Sequence, residues 1–321
     1  MITGSWIVKG LREFTLGGYE KASKSFTALP DITKTSVLIT GSNSGIGLAA
    51  AKQLAKRGAT VHLACRNQER AEKAKNEILE ENPGSNVVVH LLDISKLPTI
   101  KPFVEKLSQN YKIDTLVNNA GCMVHGTDAS KRLTAQNFEV NCATNTIGTY
   151  ILTKAFLSLP STPSKIITVS SGGMYTEKLN PNFGMTSTET LPEKPDKSSP
   201  YIKDATQVYA QNKRQQVVFM EELSKKNTST EFSTMHPGWA ETDAVKNSMP
   251  DFHKKMEGKW RSPDQGADTI VYLGLEKVES GKFWLDRKPV NTKMVIDCRG
   301  GDNQSNRDVL MKNLDSLYAQ F

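Results

Sequence analysis

Cysteine is scarce in this chain: four in 321 residues, with no Cys-x-x-Cys pair and no regular spacing. That excludes a disulfide framework and a structural zinc module, and it points to a reducing, intracellular compartment, cytoplasmic or at a membrane periphery. The five histidines are scattered and form no His-Glu-x-x-His, so no metal site is expected. No apolar run reaches the ~18 residues a spanning helix needs. The opening also lacks a secretory pattern, because Lys9 and Arg12 cut off Trp6, Ile7 and Val8. The net charge of +7 is modest for this length and spread along the chain. It suits an anionic small molecule or an acidic membrane surface, not nucleic acid. Neither an internal repeat nor a second domain is legible.

What is present begins with Val37-Leu38-Ile39-Thr40 running into Gly41-x-x-x-Gly45-x-Gly47, then a helical pattern through Ile46, Ala50 and Leu54. Strand, tight glycine turn and helix bind a dinucleotide pyrophosphate: the glycines admit the phosphates, and the helix start offers unpaired N–H groups. No Gly-Lys-Ser/Thr follows, which excludes the loop that clamps a nucleoside triphosphate. Further strands are expected at Thr60–Cys65, Val87–Asp93, Asp114–Asn119, Ile166–Ser171, Phe232–Met235 and Gly281–Leu285, with helices between them. This alternation predicts an α/β fold with a doubly wound parallel sheet of seven strands in a single domain, spanning 37–300. Leu133 to Phe156 reads as one long helix or two stacked ones. Residues 174–204 are rich in Pro and charge and are expected to form a surface excursion. Residues 301–321 read as a C-terminal helix. In 1–36, Trp6, Gly10 and Phe14 share a helical face until Gly17-Gly18 breaks it. That extension is either a flap packed on the domain or an interfacial anchor with Trp6, Ile7 and Phe14 in lipid, a possible peripheral membrane contact.

Tyr209-Ala210-Gln211-Asn212-Lys213 lies in a helical stretch, and a spacing of four puts phenol and ammonium on one face. The ammonium can favour the phenolate and ready Tyr209 for acid–base work. A half-buried tyrosine beside a surface lysine is the plain alternative. Ser170-Ser171 offers hydroxyls at a strand end, where α/β sheets bind ligands. On residues alone, Asn141 and Asn145 compete as a helix-interior amide aimed at something specific. Trp239, Met249 and Trp260 are candidates for a substrate wall, or for packing under a lid.

These elements together resemble the short-chain dehydrogenase/reductase family. The ordered matches are Thr40-Gly41-x-x-x-Gly45-x-Gly47, Asp93, Asn118-Asn119-Ala120-Gly121, Asn145, Ser171, Tyr209-x-x-x-Lys213 and Pro237-Gly238. The resemblance implies a Rossmann-type sheet in the order 3-2-1-4-5-6-7. It implies that Tyr209 gives or takes the proton, Ser171 bonds the substrate oxygen, Lys213 holds the nicotinamide ribose and tunes Tyr209, and Asn145 carries a water relay. Asn145 is selected by Asn145-Thr146-Ile147-Gly148-Thr149-Tyr150-Ile151-Leu152-Thr153, which is similar to the family stretch. The implied cofactor site comprises Thr40, Gly41, Ser42, Asn43, Ser44, Gly45, Ile46, Gly47, Arg66, Asp93, Asn119, Ala120, Gly121, Tyr209, Lys213, Pro237 and Gly238. Ser171 and Tyr209 are implied to face the substrate, with Trp239 a candidate beside them. A homodimer or tetramer built on the long helices is also implied.

Ser171 and Tyr209 stand 38 positions apart, far more than most family members show, so the intervening chain must loop out. An NAD-preferring site usually ends the second strand with Asp or Glu. This chain has Cys65-Arg66, and a guanidinium suits a 2′-phosphate. The expected activity is therefore hydride transfer between NADP(H) and an apolar carbonyl/alcohol substrate. The rival from another class is a cofactor-binding protein with little turnover, acting through protein or membrane contact.

Overall fold

The structure, a computed structural model, describes residues 2–126, 132–185, 205–293 and 301–321. Its sheet has eight strands in the order β3-β2-β1-β4-β5-β6-β7-β8. Seven are parallel: β1 (Ser36–Thr40), β2 (Thr60–Cys65), β3 (Asn86–Leu91), β4 (Thr115–Asn118), β5 (Lys165–Val169), β6 (Glu231–Met235) and β7 (Lys282–Leu285). The order expected from the resemblance is present, with one addition. β8 (Lys288–Val290) folds back antiparallel on β7. Central strands bury both faces, and alternation divides their side chains between two layers. Val37, Ile39, Val117 and Ile167 face α3 (Gly45–Lys56) and a later helix over Pro263–Leu275. Leu38, Leu116 and Ile166 face the other side.

The stretch expected as helix from Leu133 begins only at Val140, because Leu133 bridges Glu139 first. From there it is continuous through Leu157, but a π-helical turn, Ala143–Gly148, interrupts its α geometry. The long helix Ala205–Lys226 is buried nearly all round from Ala210 to Met220. Its polar residues find partners beneath it. Gln211 donates to Lys178 O at 2.7 Å, and Gln215 donates to Asn180 O and Phe183 O, each at 3.0 Å. The described part of the expected excursion is therefore not on the surface: Met174, Tyr175, Leu179, Phe183 and Met185 are all buried. Residues 186–204 lie outside the described residues. The C-terminal helix Gln304–Gln320 closes over both long helices through Leu310, Leu314 and Leu317, with Tyr150 Oη donating to Asp315 at 2.7 Å. The long-helix faces on which an oligomer was expected are thus covered by the chain itself.

The N-terminal extension is a packed arm of two helices, α1 (Ile2–Glu13) and α2 (Leu16–Ser23). The break falls at Phe14-Thr15, where Thr15 caps α2; Gly17 and Gly18 lie inside the second helix. Phe14 is fully buried and stands edge-on to His236 and Trp239, so it is not available to lipid. Trp6 turns inward to Trp239, with ring centroids 5.6 Å apart. Among the described residues of the arm, Ile7, Val8 and Leu11 are the large apolar side chains left exposed. Two arginines hold the arm by its carbonyls. Arg261 donates to Glu13 O and Thr15 O, and Arg287 donates to Thr27 O. Among the described residues no helix is long and apolar enough to cross a membrane.

A histidine pair sits between β2 and β3. His62 Nδ1 and His90 Nε2 are 2.9 Å apart, and Tyr111 lies edge-on to both rings. Burial first, then the facing His90, pushes the His62 pKa down from 6.5 to about 4. Below pH 6.5 the unfolded chain binds a proton that the folded chain refuses. This contribution is complete above pH 6.5 and is lost as pH falls toward 4, by about 3 kcal/mol in all. Thermal melts of the wild type should fall several degrees more between pH 7 and pH 4.5 than those of His62→Phe; parallel slopes would refute the assignment.

Candidate active site

The cleft opens where the direction of the crossovers reverses, between the C-terminal ends of β1 and β4. Gly41 turns the chain with φ +64°, and a Cβ there would lie 2.9 Å from Ala120 Cα. A Cβ on Gly47 would lie 2.4 Å from Asn119 Nδ2. Hydrogen bonds lace these two loops together. Thr40 Oγ1 accepts the N–H groups of Asn119 and Ala120, both at 3.0 Å, while Asn119 Nδ2 donates to Thr40 O at 2.9 Å and Gly41 O at 3.1 Å. Ser42 is buried and donates inward to Ile39 O at 2.9 Å, which leaves only its backbone for a ligand. Ser44 is the N-cap of α3 but makes no side-chain cap bond, so no cap side chain competes for the first-turn N–H groups. Asn43, Gly45 and Ile46 are half-buried on the rim. Arg66 is exposed just past β2, before the helix Gln68–Glu81. Asp93, half-buried after β3, accepts from Ser95 N at 3.0 Å and Ser95 Oγ at 2.7 Å. Gly238 turns at φ +76° against Arg261. An uncapped helix start, a turn opened by Gly41 and Gly45 and an exposed guanidinium fit a dinucleotide carrying a 2′-phosphate.

Ser171, Tyr209 and Lys213 come together despite their separation in sequence. Ser171 follows β5 and caps a 3₁₀ turn, Gly172–Thr176, accepting from Gly173 N at 3.1 Å. The Tyr209 phenol lies beside it, and the Ser171 hydroxyl pulls against the burial that drives the phenol pKa up to about 12. Lys213 Nζ lies 5.3 Å from the Tyr209 ring centroid and donates to Val169 O at 2.7 Å and Gln216 Oε1 at 3.1 Å. Burial pushes its pKa down to about 7. Burial, rather than the lysine charge, therefore sets the phenol here. Ser170 points away and donates to Lys213 O at 2.9 Å, tying β5 to the helix.

Asn145 lies in the π-helical turn, where widened geometry often marks functional positions. Its side chain grips the loop after β4: Oδ1 accepts from Cys122 N and Nδ2 donates to Cys122 O, both at 2.9 Å. Asn141, one helical turn earlier, grips Val124 in the same way, at 2.7 and 3.1 Å. The two differ in their backbone. Only the Asn145 carbonyl accepts the amide of Gln216, whose other end holds Lys213. Gln216 was not read from the sequence, although its spacing of three from Lys213 puts it on the same helical face. Cys122 is near this group, and burial pushes its thiol up to about 11, against the nearby charges of Arg66 and Lys213. Trp239 gives most of its surface to Trp6, Phe14 and Phe252. Trp260, another residue of the expected substrate wall, packs on Phe252 and His253 within the same aromatic cluster. Met249 is half-buried nearby. Among the described residues no group of His, Cys, Asp and Glu could hold a metal ion.

Known proteins resemble this chain along most of its length. The family model described as short chain dehydrogenase matches residues 35–184. Dehydrogenase/reductase SDR family member 12 of Bos taurus is 41% identical over 99% of this chain and 98% of its own length. Retinol dehydrogenase 12 of Bos taurus is 30% identical over 84% and 82% respectively. A short chain dehydrogenase from Escherichia coli CFT073, solved in complex with NADPH, superimposes with a TM-score of 0.59 at 20% identity, covering 80% of this chain and 98% of that one.

Proposed function

Because the chain belongs to the short-chain dehydrogenase/reductase family, we propose that it is an NADP(H)-dependent oxidoreductase of a carbonyl/alcohol pair. The observation that carries this reading is the meeting of the Ser171 hydroxyl, the Tyr209 phenol and the Lys213 ammonium in one place. Tyr209, with its pKa raised to about 12, is protonated at neutral pH and gives its proton to the carbonyl oxygen. Ser171 holds that oxygen in line. Lys213, anchored by Val169 O and Gln216, steadies the resulting phenolate. A bound nicotinamide supplies the hydride. The turn at 41–47 and the start of α3 would take the pyrophosphate, Asp93 the adenine and Arg66 the 2′-phosphate. The name of the retinol dehydrogenase relative supports an apolar alcohol or carbonyl as substrate.

The test is NADPH oxidation with a panel of steroids, retinoids, quinones and lipid aldehydes. Turnover with at least one supports the reading, and none across the panel overturns it. The rival, a cofactor-binding protein acting by contact, would rely on the outward Ile7, Val8 and Leu11 of α1. Arg66→Ala is expected to weaken NADPH about tenfold or more while NADH changes little, read by fluorescence titration. Equal loss for both cofactors would remove Arg66 from 2′-phosphate recognition.

A further inference from the structure

The catalytic serine is followed by a residue whose two backbone polar groups are both held by distant side chains. Gly172 N donates to His236 Nδ1 at 3.0 Å. Gly172 O accepts from Trp6 Nε1 at 2.7 Å, across 166 positions of sequence. Gly172 is buried, so either group left alone would be an unpaired polar group out of reach of water. The fit is tight: a Cβ on Gly172 would lie 2.7 Å from His236 Nε2 and 2.9 Å from Phe14 Cε2. Phe14 seals the clamp from above, edge-on to His236 with ring centroids 4.3 Å apart. His236 Nδ1 can accept only in the neutral ring, and burial, reinforced by the charges of Arg261 and Lys9, keeps that ring neutral.

We propose that Trp6 and His236 are positioning residues for Ser171, so that the N-terminal arm is a working part of the active site. The inference rests on the oxidoreductase reading above for its kinetic consequence, and on geometry for its structural one. The turn Gly172–Thr176 fixes where Ser171 Oγ stands, because Gly173 N donates to it. Pinning the Gly172 peptide at both ends fixes that turn. Trp6 delivers its indole from α1, which packs on the turn Gly172–Thr176. Loss of the clamp should therefore lower turnover without loosening the cofactor.

Three variants separate the possibilities. Trp6→Phe keeps an aromatic ring and removes the N–H. His236→Leu removes the acceptor. His236→Asn keeps an acceptor near the Nδ1 position. Trp6→Phe and His236→Leu should each lower kcat about tenfold, with NADPH affinity unchanged, and His236→Asn should recover most of the loss. Hydrogen–deuterium exchange needs no substrate. Uptake in the segment containing Gly172 should rise in His236→Leu and Trp6→Phe and return toward wild type in His236→Asn. Unchanged exchange overturns the proposal, as does a fall in kcat matched by an equal loss of NADPH affinity. A wild type inactive on every carbonyl would strike the oxidoreductase reading, while the exchange result would still decide the clamp.

Discussion

Tyr209→Phe is expected to lower kcat about a thousandfold while NADPH affinity stays within about threefold. The substitution removes one oxygen and leaves the ring and its packing. The lost atom is the one beside the Ser171 hydroxyl, and in the proposed mechanism it is the proton donor. Water is a poor replacement, because Lys213 beside the ring is buried and anchored to protein atoms. Steady-state NADPH oxidation on the best substrate of the panel gives kcat, and fluorescence titration gives affinity. A variant retaining a tenth of wild-type turnover would show that another group moves the proton. Equal losses in turnover and affinity would show that the phenol binds rather than reacts.

The second large effect concerns stability. Arg261→Ala should destabilise the fold by about 3–5 kcal/mol, lowering the melting temperature by roughly 10 °C. Arg261 is 1% exposed and makes two bonds to Asp286, at 2.6 and 2.9 Å, besides those to Glu13 O and Thr15 O. Truncation leaves a buried carboxylate and two backbone carbonyls without donors. Adding Asp286→Leu to Arg261→Met should recover part of the loss by removing the stranded charge, whereas the carbonyls stay unpaired. Differential scanning calorimetry measures both. Limited trypsin digestion should cut at Lys21 or Lys24 sooner in Arg261→Ala, because the arm is released. Unchanged digestion together with a small shift in melting temperature would mean that the arm is held chiefly by its aromatic packing.

The parts of the fold legible in the sequence are those with local signals. Strand, glycine turn and α3 are written in adjacent residues, and Tyr209 and Lys213 share a helix. β8 escaped notice because its hairpin uses Asp286 and Arg287, both with positive φ, where Asn-Gly would be the usual pair. Those strained positions are held from outside, Asp286 by Arg261 and Arg287 by Asp268. The burial of 174–185 was hidden for a similar reason. Pro181 and the charges of Glu177 and Lys178 read as surface, but the glutamines that hold the stretch down lie on a distant helix. Trp6 and His236 carry no local sign of their shared hold on Gly172. Asn145 was separable from Asn141 only by resemblance to a known stretch, because both grip the same loop.

The way the arm is fastened also bears on how the molecule is made. Its anchoring side chains, Arg261 and Arg287, come 246 to 260 positions after the carbonyls they hold. On the ribosome, Trp6 and Phe14 emerge well ahead of His236 and Trp239, the rings they pack against. The nascent polypeptide therefore carries these aromatic side chains uncovered while the intervening chain is made, and closing such distant contacts is slow. A chaperone that shields this segment during elongation should raise soluble yield more than one acting after release.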